Sequence, residues 1–282
     1  MRYAHTLRVG PVSFRVGSDW RAPIDALRSL YRDYPGASDG VADYSVRLEA
    51  ARPWRRWLRP AITLGGDFML PDAVPLPLAW GLLAAEMGMN LQLALGERRY
   101  LLLHAASVER DGRALVLTGA SGSGKSTLSA VLAAKGWRLM GDEFALIDPA
   151  SGLLHAFPRL VSLKNGAIGE VAGARLGPLL RNTPKGDIRH LVPDAAAVAA
   201  MDRPARIAAV VFPAFGHHAA VRPVPASEAF VRLTQASTNY TALGERGFGA
   251  LTDLVGRAPA VAIDYPDSAS ALEQVAALWD AL

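Results

Sequence analysis

The chain has 282 residues, 51% of them hydrophobic, and a mean hydropathy of +0.16, which excludes a disordered polymer and leaves room for one large or two modest cores. Cysteine is absent, so disulfides and thiolate metal sites are excluded, in keeping with a reducing, cytoplasmic setting. A net charge of +4 and a pI near 9.6 come from scattered arginines and carry no expectation of a nucleic-acid partner.

Residues 1–75 read as a small N-terminal α/β module without a chemical signature, so an accessory role is the default. Alternation over Thr6–Val16 predicts strand, with Gly10-Pro11 as a break, and Ile24, Leu27, Leu30 and Tyr31 predict a helix over Trp20–Tyr34 stopped at Pro35-Gly36. Tyr44–Leu48 reads as a further strand. Arg52, Arg55, Arg56 and Arg59 interleave with Trp54 and Trp57. A solvated Arg-rich helix with its tryptophans turned inward is expected, a patch that stacks on bases being the alternative. The Pro-rich stretch Pro71–Pro77 marks the boundary to a second domain over 76–282.

The most apolar segment, Leu76–Leu95, contains Glu86, Asn90 and Gln92 and reads as a buried helix over 79–94, not a membrane span; no signal-length apolar stretch opens the chain. A strand over Tyr100–Val108 follows, then Asp111-Gly112 turns the chain into a strand leading to Thr118, so a hairpin delivers what comes next. Arg138–Ile147 reads as one strand, Asp148–Gly152 as a turn and Leu153–Phe157 as a return strand. Gly173–Pro193, rich in Gly, Pro and basic residues, reads as a long surface loop, and Ala195–Ala200 as helix.

Between the strand ending at Thr118 and a helical pattern carrying Leu128, Val131 and Leu132 stands Gly119-Ala120-Ser121-Gly122-Ser123-Gly124-Lys125-Ser126. It meets every fixed position of the phosphate-binding loop G-x-x-x-x-G-K-[ST]. Glycines let successive N–H groups converge on a phosphate, and a helix beginning near Gly124 adds its positive dipole end. Lys125 is expected at the β- and γ-phosphates, Ser126 on Mg²⁺, and Thr127 near the α-phosphate, with Ala120, Ser121 and Ser123 giving main-chain contacts. The chain is therefore expected to bind a nucleoside triphosphate, with ATP and Mg²⁺ as its ligands.

Such a site needs a carboxylate for the metal and, in a kinase, a group to accept the hydroxyl proton. Asp142 and Glu143 are the candidates, Asp142 as catalytic carboxylate and Glu143 on the metal side. Neighbours in a strand face opposite ways, so either the chain bulges near Gly141 or only one acid faces the phosphates.

In this order the second part resembles the catalytic domain of HPr kinase/phosphorylase, whose P-loop fold is shared with phosphoenolpyruvate carboxykinase. The likeness covers about 95–255 and rests on Leu103-His104, the loop Gly119–Ser126, Lys135-Gly136, Arg138–Glu143 and Ala236-Ser-Thr-Asn-Tyr240. It implies an α/β fold: a mixed-sheet P-loop kinase core with a small N-terminal module. It also implies that Asp142 takes the acceptor proton while His104 beside it tunes that carboxylate or helps bind phosphate. An ordinary core histidine is the competing reading of His104. The family's Glu-Ile-Arg-Gly signature is missing, and Phe157–Asn165 stands in its place, removing an expected metal ligand and putting a phosphorylase half-reaction in doubt. Arg159 and Lys164, or Lys185, Arg189 and His190 from a loop, are candidates to offset phosphoryl charge. A solvated basic loop is the plainer reading of the last three. His190, His217 and His218 read as surface residues with no metal-site spacing.

The resulting expectation is an ATP-dependent kinase acting on a Ser or Thr hydroxyl of a protein or peptide. A small-molecule hydroxyl, an ATPase switch that binds a partner protein, and a non-catalytic nucleotide-binding module are the alternatives. No membrane partner is expected, and the related family's assembly makes a homo-oligomer an open expectation.

Overall fold

Apolar residues alternate at Leu7 and Val9 and, after the turn, at Val12, Phe14 and Val16, giving one face of a hairpin to the core. In the computed structural model, which describes residues 1–36, 40–70, 72–171 and 173–282, β1 (Tyr3–Val9) and β2 (Val12–Ser18) pair antiparallel across Gly10. Helix α1 (Arg21–Leu30) buries Ile24, Leu27 and Leu30. It stops short of the expected Tyr34, because Tyr31 leaves the helical path and its ring packs edge-on against Tyr34, centroids 4.7 Å apart. Strand β3 (Tyr44–Ala50) lies parallel to β2, and β4 (Ala61–Gly66) and β5 (Leu76–Pro77) extend the sheet antiparallel in the order β1-β2-β3-β4-β5. Pro71, where the Pro-rich boundary was expected to begin, lies outside the described residues.

Helix α2 (Gly81–Gly96) covers this sheet after a short 3-10 turn over Leu78–Trp80. By length and composition alone residues 78–96 pass as a bilayer span, with mean hydropathy 1.2, yet half of the stretch is buried inside the protein. Its buried polar groups are satisfied there. Glu86 accepts from the Tyr31 hydroxyl at 2.9 Å, and Gln92 bonds both the N–H and the carbonyl of Phe68 at 2.8 Å. Because α2 packs on β3 and β4, the first compact unit runs to Glu97, beyond the boundary read at 75/76, and it also takes in Leu179–Asp187. Within it the Trp80 indole donates to the Arg181 carbonyl at 3.3 Å.

The second unit, Arg98–Pro178 with Ile188–Leu282, opens on β6 (Leu101–Leu103), followed by β7 (Ala105–Arg110) and β8 (Arg113–Thr118). Asp111 and Gly112, both at positive φ, make the expected hairpin turn between β7 and β8. Helix α3 (Lys125–Ala134) buries Leu128, Val131 and Leu132, and Gly136 follows it at φ 87°. Strands β9 (Arg138–Gly141), β10 (Ala145–Ile147), β11 (Leu154–His155) and β12 (Val161–Lys164) come next.

The long loop expected over Gly173–Pro193 is instead strand for most of its length, β13 (Leu176–Thr183) and β14 (Gly186–Leu191). Burial of Leu180, Ile188 and Leu191 and the pairing of β14 with β12 accompany the difference, and His190, expected at the surface, is fully buried. After α4 (Ala195–Ala199), β15 (Arg206–Phe215) and β16 (Ala220–Val224) precede α5 (Ala226–Ala236), α6 (Tyr240–Leu243), α7 (Glu245–Arg257), β17 (Ala260–Tyr265) and α8 (Ser268–Asp280).

The main sheet has six strands in the order β16-β17-β15-β8-β7-β9. Strands β8, β15 and β17 are mutually parallel, whereas β7, β9 and β16 run antiparallel to their neighbours, so the sheet is mixed. Leu115, Leu117, Val211 and Ile263 from this sheet pack with the α3 face and with Trp137, whose ring meets Trp279 edge-on at 4.6 Å. Two small sheets, β11-β10-β6 and β12-β14-β13, complete the strands.

Candidate functional site

Ligand sites in sheets of this kind form where parallel strands end at their carboxyl edge. Here β8 ends at Thr118 and runs straight into the glycine-rich loop, whose residues Gly119–Gly122 are exposed. Gly119, Gly122 and Gly124 all hold positive φ, at 152°, 85° and 97°. Gly124 could not be replaced without strain, since a Cβ there would also lie 2.5 Å from the Tyr265 hydroxyl oxygen. Gly124 caps α3, and among the described residues no side chain makes a cap hydrogen bond there. Asp194 and Asp267, by contrast, cap α4 and α8 with their own carboxylates. The first N–H groups of α3 are thus left for another acceptor.

The loop is pinned from behind. Phe215 N–H donates to the Ser123 carbonyl at 3.2 Å, and the buried Ser123 and Tyr265 hydroxyl oxygens have no hydrogen-bond partner among the described residues. Burial raises Tyr265 to about 12, so it stays a neutral phenol. Lys125 is buried, and its ammonium donates to the carbonyls of Gly119 at 2.8 Å and Ala120 at 2.9 Å. Burial lowers its pKa, while Asp142 and Glu143 oppose that shift.

The two acids sit at a strand switch. The continuous strands expected over Tyr100–Val108 and Arg138–Ile147 are both broken, the first at His104 and the second at 142–144. On one side of each break the chain belongs to the six-stranded sheet, and on the other β6 pairs with β10. The breaks lie together, so His104, Asp142 and Glu143 gather at the seam. Gly141 permits the bend: a Cβ there would come within 2.7 Å of the Phe144 carbonyl oxygen and 3.3 Å of that of Phe157.

The chain thus departs from a regular strand here, one of the two alternatives open for adjacent acids, and the departure separates them by environment. Asp142 is 4% exposed, whereas the Glu143 side chain is 38% exposed. Burial, and next the neighbouring Glu143 charge, push Asp142 up to about 7. The Ser126 hydroxyl, the Ser162 N–H (3.4 Å from Oδ2) and Lys164 work the other way. Asp142 Oδ1 is buried with no hydrogen-bond partner among the described residues. An unpartnered buried carboxylate oxygen beside Ser126 fits a cation or a hydroxyl.

His104 is not a core histidine. Its side chain is 48% exposed, with Nδ1 3.7 Å from Glu143 Oε2. Its position is fixed by the Ala236–Tyr240 segment: His104 N–H donates to the Ala236 carbonyl (2.8 Å), Leu102 N–H to Asn239 Oδ1 (3.0 Å), and Asn239 Nδ2 to the Tyr100 carbonyl (2.8 Å).

Lys164 shares a face of β12 with Ser162 and acts electrostatically on both Asp142 and Lys125. Arg159 is instead buried against the Phe157 ring. Arg189 donates to the Gly177 carbonyl at 2.8 Å, and Lys185 belongs to the first unit. Ser162, Phe215 and Tyr265 carried no sequence signal, because each reaches the site only through strand pairing. Beside the loop lies a cleft of about 570 Å³, walled by Gly119, Ala120 and Ser123 and by Phe212, Arg222 and Arg232.

Among the described residues no three His, Asp or Glu side chains cluster tightly enough to hold a metal by themselves.

The family model described as SynChlorMet cassette protein ScmC matches residues 84–174, less than half of the chain. No curated protein matches. Among solved structures the chain is similar to the HPr(Ser) kinase/phosphatase from Coxiella burnetii, at 13% identity, covering 64% of this chain and 99% of that one with a TM-score of 0.29. An overlap that slight carries no argument about chemistry, so function rests on the residues themselves.

Proposed function

We propose that this protein is an ATP-dependent kinase that transfers the γ-phosphate to a Ser or Thr hydroxyl of a protein or peptide. The observation that carries the reading is the convergence on one loop of three kinds of group. These are uncapped helix N–H groups with glycines at positive φ, the Lys125 ammonium, and a buried carboxylate with an open oxygen. Gly119–Thr127 would cradle the phosphates, with Lys125 exchanging its two loop carbonyls for phosphate oxygens. Ser126 and Glu143 are the protein groups to hold Mg²⁺, whose contribution when bound is to neutralise charge on the phosphate oxygens.

Asp142 is the base. The acceptor oxygen forms a bond to the γ-phosphorus as the bond to the β,γ-bridging oxygen breaks, the hydroxyl proton passes to Asp142, and ADP leaves. A carboxylate held near neutrality is a better proton acceptor than one near pKa 4. His104, through Glu143, and Lys164 adjust the field around it. The open cleft beside the loop gives an acceptor segment room to approach. Calorimetry with ATP and Mg²⁺, followed by phosphate transfer from γ-labelled ATP to candidate peptides, tests the reading. No heat with any purine triphosphate would sink it.

A further inference from the structure

The first unit carries a surface that the nucleotide site does not use. The short 3-10 turn Pro53–Arg56 and the residues after it were expected to turn Trp54 and Trp57 inward, and they do the opposite. Trp54 is 53% exposed, Trp57 75% and Leu58 67%. The turn is nonetheless firmly held. The Trp20 indole donates to the Arg56 carbonyl and the Arg56 guanidinium to the Asp19 carbonyl, both at 2.9 Å, while Arg55 donates to the Arg59 carbonyl at 3.0 Å. Arg59 itself sits at φ 47°, a left-handed conformation uncommon for a side-chain-bearing residue. Two large rings left in water on a braced, strained turn are a binding surface, not a packing accident.

We infer that this turn is a docking site for an acidic peptide segment carrying an apolar anchor. The shape favours a peptide: a concavity of about 620 Å³ is walled by Trp54, Leu58, Ala61 and Pro75, with Arg52, Arg55 and Arg59 around it. The charge selects its sign, since residues 50–66 contain four arginines, Arg52, Arg55, Arg56 and Arg59, and no Asp or Glu. A bilayer would call for a protruding apolar ridge, and this wall is concave. Nucleobases would need open ring faces, but the Arg52 guanidinium lies over Trp54 at 5.4 Å and that of Arg56 over Trp57 at 5.6 Å. Carboxylates of a bound segment would pair with guanidiniums already oriented on those rings.

A fluorescein-labelled peptide of alternating glutamate and leucine, titrated with the full chain at low salt, tests this by anisotropy. Saturable binding is expected, weakening as salt rises and missing for the lysine–leucine counterpart. Trp54→Ala and Arg52→Glu should each weaken it about tenfold or more. Both side chains are solvent-exposed, so the circular dichroism of the variants should match that of the parent. Equal affinity for the two peptides, or unchanged binding in both variants, overturns the inference. So does binding of phosphatidylserine vesicles or single-stranded RNA in place of the acidic peptide. The outcome is independent of whether the nucleotide site transfers phosphate.

Discussion

Asp142 is costly to ionise where it stands, and the base chemistry proposed for it near neutral pH draws on that cost. Its ordinary value of 3.8 is raised to about 7 in the folded chain, so between those two values the folded state holds a proton that the unfolded state has lost. Stability should therefore fall as pH rises from about 4 to about 7, and Asp142→Asn should flatten that slope in thermal melts. With Asp142 as base, transfer by the free enzyme should climb with pH through about 7 and then level off. Asp142→Asn should keep ATP affinity and lose transfer by at least about a hundredfold; unchanged transfer would remove it from the mechanism. Lys125→Ala takes the ammonium from the loop and should abolish measurable heat of ATP binding.

At the scale of elements, two strands change sheets at the same place, and backbone contacts of long sequence separation hold the crossing. Gly141→Ala would press a methyl group onto two carbonyl oxygens, and a loss of about 1–3 kcal/mol is expected in urea unfolding. Asn239 is buried and serves Leu102 and Tyr100 at once. Asn239→Ala should cost about 1–3 kcal/mol by leaving those groups unpaired, and slower transfer should accompany it as His104 shifts. What the sequence made legible here was local. The Asp111-Gly112 turn, the apolar face of α3 and the loop itself depend on residues a few positions apart. The break at His104 depends on Ala236 and Asn239, more than 130 residues away, so nothing in Leu101–Val108 announces it. Gly173–Pro193 misled for a related reason: its Gly, Pro and basic residues suggest a loop, while its pairing with Val161–Lys164, distant in sequence, makes strand of Gly186–Leu191.

For the molecule as a whole, ligand binding and stability are one measurement. Nucleotide with Mg²⁺ at about a hundred times its Kd should stabilise the folded state by about 2.7 kcal/mol, visible as a rise in melting temperature that Lys125→Ala abolishes. A rise that persists in that variant would place the binding elsewhere. The α/β class and a mixed sheet could be anticipated from two hairpins flanking one helix, although only the β7–β8 hairpin enters the main sheet and β10–β11 lies in a smaller one. The division of the chain could not, because it depends on a later stretch, Leu179–Asp187, joining the earlier unit. That detour has a consequence for biosynthesis. On the ribosome the first unit should not finish closing until Asp187 has emerged, by which time the glycine-rich loop is already outside the exit tunnel. A gene split anywhere between the codons for 98 and 178 should leave the leading fragment short of its last piece, and supplying that piece in trans should be the way to recover it.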